Sequence, residues 1–192
     1  MKHTGFRERY FEDYRPRTRI KPNGRAAVDY VYSGLWYRWG LDGFDLRRRK
    51  LLYIVLELGS IALYLLASLQ QLPMNTQRLA SGLGILSVFS WLIELWGVLG
   101  FCVGREYITE LDHRTINSRI AAGSILRICL LTASVLCGAA ATLRDGRTSA
   151  LMWLTIAAYF TSAAVSALIF SLHRKIYYRT YKNLDGKVGP EC

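Results

Sequence analysis

Three ionisable residues stand where ionisable residues are expensive. Glu57, Glu94 and Arg127 each interrupt an otherwise uncharged apolar block. A charge at mid-bilayer costs at least about 2.5 to 3.5 kcal/mol on insertion scales, so such groups are paired, and they mark functional sites. If the blocks are antiparallel membrane helices, the rise per residue sets their depths. Glu57 then lies roughly 10 Å, Glu94 roughly 13 Å and Arg127 roughly 9 Å from one membrane face. That shared level predicts a buried Glu57–Arg127–Glu94 cluster. Two carboxylates and one guanidinium leave one negative charge over if both acids ionise. Either one carboxyl carries a proton or a cation compensates. A carboxylate that exchanges a proton or cation is what a coupled carrier needs. Ser162 and Ser166 fall at comparable depth in the fourth block and offer uncharged oxygen ligands. The purely structural alternative has Arg127 reaching for the headgroups while one Glu pairs with it to lock the bundle.

The elements that must position these groups are four long apolar blocks, at about 51–69, 79–103, 122–143 and 150–172. Each is near or above the roughly 20 residues that cross a bilayer core. A segment in lipid must satisfy its own backbone hydrogen bonds, so each block predicts a helix. Buried helices of a soluble bundle would need polar faces that these blocks lack. The fold class expected is therefore an all-α integral membrane protein, a four-helix transmembrane bundle over 51–172. It lies between a basic, aromatic N-terminal segment (1–50) and a basic tail (173–192). At 192 residues with 52% hydrophobic residues and a net charge of +11, the chain is no disordered or disulfide-rich domain.

Basic residues set the expected orientation. Of the 25 Lys and Arg, 13 precede residue 51, and 21 fall on the side of the termini and the 104–121 connection. The other side holds Arg78, Arg144 and Arg147. The positive-inside bias places both termini in the cytoplasm. The run Arg47-Arg48-Arg49-Lys50 abuts the first block and is expected among anionic headgroups of the bilayer. This bias accounts for the basic charge without nucleic acid. The first 50 residues contain no apolar signal-peptide core, so the first span is expected to be a true anchor. Short connections favour antiparallel neighbours.

Residues 28–39 read as a small cytoplasmic β-hairpin. Val28 to Tyr32 and Leu35 to Trp39 flank Ser33-Gly34, a two-residue turn signal. The register would set Tyr32 opposite Leu35 and Asp29 opposite Arg38. An isolated hairpin is marginal and needs a surface to dock on. Tyr30, Tyr32, Trp36 and Trp39 are the candidate partner-docking residues, or an aromatic belt at headgroup level.

Other chemistry is not supported. Glu110-x-x-His113 is half of a di-iron carboxylate signature whose other half is missing. The three histidines lack zinc spacing. There is no phosphate loop, no nucleophile elbow and no CxxC, so no metal, cofactor or catalytic residue is expected. Cys102, Cys129 and Cys137 read as small packing residues, as do the glycines of Gly100-x-x-x-Gly104. Small multidrug carriers also have four spans and a functional Glu in the first. This chain departs from them in its length, its N-terminal segment, its long second connection and its further intramembrane charges. The function expected is non-enzymatic: a small homo-oligomeric transporter or channel using Glu57, Glu94 and Arg127. The alternative is an accessory or assembly subunit that docks a membrane partner protein.

Overall fold

A computed structural model describes residues 14–20, 26–144, 146 and 148–182. Three strands come first: β1 (Tyr14–Ile20), β2 (Ala26–Tyr32) and β3 (Leu35–Trp39). A long helix, α1 (Gly43–Ser68), leads into one short turn of helix, α2 (Pro73–Thr76). The second long helix is α3 (Arg78–Val103). A short strand, β4 (Tyr107–Thr109), precedes the longest helix, α4 (Glu110–Arg144). The chain closes with α5 (Ala150–Arg174) and β5 (Tyr178–Lys182).

Helix boundaries follow from local chemistry. Gln77 Oε1 accepts the Ala80 N–H at 2.7 Å and Ser149 Oγ accepts the Met152 N–H at 3.2 Å, capping α3 and α5. Thr109 Oγ1 accepts from the Asp112 N–H at 3.2 Å and donates to Asp112 Oδ2 at 2.9 Å. With Glu110 and Asp112 in its first turn, α4 starts twelve residues before the third apolar block, inside what the sequence suggests is a loop.

Four helices are long and apolar enough to cross a membrane, and the chain is a multi-pass membrane protein on that ground. Their surfaces run opposite to those of a soluble bundle. Leu58, Leu66, Phe89, Trp96 and Leu154 are exposed, while Glu57, Ser60, Ser90, Glu94, Ser124 and Arg127 are buried. The long helices close a ring in which α1 packs on α3 and α5, and α4 packs on α3 and α5. The α3–α4 contact is the closest, and glycine makes it so. A Cβ on Gly97 would sit 2.9 Å from the Ile120 backbone nitrogen, and one on Gly123 would sit 2.7 Å from the Glu94 Cα. Such backbone approach is what small residues permit in membrane helix pairs.

β2 and β3 lie where alternation places strands, but the expected hairpin between them does not form. Instead β2 pairs antiparallel with β1, and β3 is the centre of a three-stranded sheet in the order β4-β3-β5. The reason lies at Ser33-Gly34. A two-residue hairpin loop needs positive φ, and among the described residues only Gly146 has it. The chain therefore runs on from one sheet into the next. The expected Asp29–Arg38 pairing is replaced: Asp29 lies in register with Arg17, and Arg38 with Tyr107 and Arg179. Arg38 forms an ion pair with Glu106, whose hydrogen bond holds the guanidinium pKa above its ordinary value. Trp39 anchors the sheet to the bundle. It is 2% exposed, packs edge-on against Phe101 at 4.7 Å and donates its indole N–H to the Arg105 carbonyl at 3.0 Å.

Candidate functional site

The ring of helices closes around Arg127. Its placement on the buried face of α4 brings both acids to it: Nη1 lies 3.7 Å from Glu57 Oε2 and 3.6 Å from Glu94 Oε2. All three side chains are at most 1% exposed. The two serines expected from the fourth block are there as well. Ser162 Oγ accepts from Arg127 Nη2 at 2.8 Å and donates to the Ser60 carbonyl at 3.0 Å. Ser166 Oγ donates to Glu94 Oε2 at 2.9 Å.

Two further serines complete the site, and sequence reasoning missed both. Ser60 Oγ accepts from Arg127 Nη1 at 3.0 Å, and Ser124 Oγ donates to Glu94 Oε1 at 2.7 Å. Ser60 stands three residues after Glu57, and Ser124 three before Arg127. Residues three apart share a helix face, so that spacing was the available signal.

The two carboxylates differ. Each oxygen of Glu94 accepts a serine hydroxyl, and its Oε2 also lies near the guanidinium. Among the described residues no hydroxyl reaches the Glu57 carboxylate: its Oε2 lies 3.7 Å from Arg127 Nη1, and the buried indole N–H of Trp91 faces it. A buried carboxylate with fewer donors has less of its desolvation offset. Arg127 stands almost equally near both acids, and of the two carboxylates the serine hydroxyls reach that of Glu94 alone.

Toward the α2 end the polar stripe continues through Tyr64 and Ser87 to a cavity of about 210 Å³. Tyr64, Ser81, Gly84, Ser134 and Tyr159 line it. Met74 and Asn75 of α2 form part of its wall. Tyr159 Oη donates to Asn75 Oδ1 at 3.0 Å, and Asn75 Nδ2 donates to the Ala67 and Gln70 carbonyls. The Tyr64 hydroxyl packs against Gly84 on the cavity wall. At the sheet end, Asn117 joins His113, His173 and Tyr178. Its Oδ1 accepts from Tyr178 Oη at 3.0 Å and lies 2.6 Å from His173 Nε2. Burial pushes the Tyr178 phenol up, so it stays a neutral donor there.

The other candidates are spread over the sheet end. Arg47 and Arg48 are exposed, while Lys50 donates to the Gly104 carbonyl at 2.6 Å. Arg49 is half-buried. Tyr30 is exposed and Trp36 half-buried. Tyr32 and Trp39 are buried inside the chain, where Tyr32 Oη donates to the Leu35 carbonyl and accepts the Glu110 N–H. Comparison with protein-family models, with curated proteins and with solved structures finds no match.

Proposed function

We propose that this chain is a small membrane transporter that carries a proton or a cation on Glu57. One observation carries the reading: Glu57 is a fully buried carboxylate that no hydroxyl of the described residues reaches, while each oxygen of Glu94 accepts a serine hydroxyl. With both acids ionised the cluster bears one net negative charge, and an ion bound at Glu57 neutralises it. Arg127 and Glu94 fix the geometry, and Ser162 and Ser166 hold them in place. The cavity lined by Tyr64 supports the route by which an ion reaches the cluster. The closed packing around the site supports a carrier over an open pore. The termini face the cytoplasm on the count of basic residues, and the working form is a homo-oligomer.

The test is flux in vesicles reconstituted with the purified chain. A proton or monovalent-cation gradient should dissipate through the wild type, and Glu57→Gln should reduce that flux to the level of empty vesicles with the fold intact. Unchanged flux in Glu57→Gln would remove the proposal. A second reading, an accessory subunit of a membrane complex, is favoured by the β1–β2 ribbon. Its Ile20, Val28 and Tyr30 are exposed. Native mass after gentle extraction separates the two, since a stoichiometric second protein belongs to that second reading alone.

A further inference from the structure

A pocket of about 480 Å³ opens where α3 ends, α4 begins and the central sheet meets them. Arg105, Arg119, Asp112 and Thr115 supply its polar wall, and Val103, Ile116 and Trp36 its apolar one. Three features point to what it takes. First, the two arginines are exposed, and among the described residues neither is within ion-pair distance of a carboxylate. Asp112 lines the same pocket and accepts from the Thr109 hydroxyl at the start of α4, so two guanidiniums face one carboxylate there; Glu106 pairs with Arg38. Second, the half-buried Thr115 places a hydroxyl on the same wall as the two arginines. Third, the pocket lies at the end of an apolar span. Val103 is 82% exposed at its rim, and Arg119 is stacked 5.6 Å over the ring of Trp96, itself 65% exposed on the outer face of α3.

We infer that this pocket holds the headgroup of an anionic phospholipid. The phosphate sits between the guanidiniums of Arg105 and Arg119, with the Thr115 hydroxyl as a neutral donor. The acyl chains run down the exposed side of α3 past Val103 and Trp96. Guanidinium forks match phosphate oxygens in pairs, and basic pockets between membrane helices suit anionic headgroups. A zwitterionic lipid would bring its own cation against the arginines. A free phosphate would use the arginines but leave the apolar wall bare. The inference is independent of what Glu57 carries.

The experiment is native mass spectrometry of the purified full chain. It is titrated with phosphatidylglycerol, phosphatidylcholine or inorganic phosphate. The wild type should retain one phosphatidylglycerol per chain in preference to phosphatidylcholine, with no matching effect of phosphate. Arg105→Gln with Arg119→Gln should weaken that retention roughly 30-fold, at the worth of a basic residue near an anionic surface. Arg114→Gln with Arg174→Gln makes the same charge change away from the pocket and should leave it intact. Thr115→Val keeps the side-chain shape, loses the donor and should weaken retention by a smaller factor, which covers the case of a misfolded double variant. Equal loss in the two double variants would mean diffuse surface charge and overturn the site. So would an equal effect of inorganic phosphate, or no preference for the anionic lipid.

Discussion

Replacing Arg127 with Met should cost the bundle about 3 to 5 kcal/mol, the price of stripping one partner from a buried ion pair. The guanidinium touches all of its neighbours at once: Ser60, Ser162, Glu57 and Glu94 surround it. Without it, two carboxylates are left in an apolar interior with no positive charge in contact. The denaturation midpoint of the detergent-solubilised variant reads the loss. Rescue makes the interpretation specific. Adding Glu57→Gln and Glu94→Gln to Arg127→Met removes all three charges of the cluster and should recover most of the stability, because neutral replacements of buried ion pairs are tolerated. If the triple variant is as unstable as the single, Arg127 acts through its packing and not its charge.

Gly123→Val should be the most damaging packing change. A Cβ at this position would lie 2.5 Å from the Glu94 nitrogen and 2.7 Å from its Cα. These are backbone atoms, so no side chain can rotate away. The helices must separate, which should cost more than the roughly 1 to 3 kcal/mol of ordinary overpacking. Separation here also lifts Glu94 from Ser124 and Arg127, so stability and the site fail together. Gly82→Val is the control, since nothing lies within 4 Å of a Cβ there. Equal midpoints for the two variants would contradict the close α3–α4 contact.

Much of this architecture was legible from residue types. Long apolar runs can only be helices in lipid, and the depth of Glu57, Glu94 and Arg127 follows from counting along them. The pairing of β3 was not legible. Its partners are strands of three and five residues near positions 107 and 180, far along the chain, and too short to carry an alternation signal. The adjacent Ser33-Gly34 offered a local turn that the backbone does not use. The start of α4 was readable in principle from Thr109 and Asp112, a capping pattern hidden within a polar connection. The difference between the two glutamates was out of reach. It depends on Ser124 and Ser166 arriving from two other helices at one carboxylate and not at the other. Serines in apolar spans are common packing residues, so type alone does not mark them as ligands.

The central claim is that Glu57, and not Glu94, is the carboxylate that exchanges its ion. Difference infrared spectroscopy reads this without knowledge of any solute. The reconstituted protein is stepped between acidic and alkaline buffer, and the carbonyl stretch of protonated carboxyl groups is followed. The account predicts a buried carboxylic-acid band that comes and goes with pH, vanishes in Glu57→Gln and persists in Glu94→Gln. A band untouched by Glu57→Gln, or abolished only by Glu94→Gln, would contradict it.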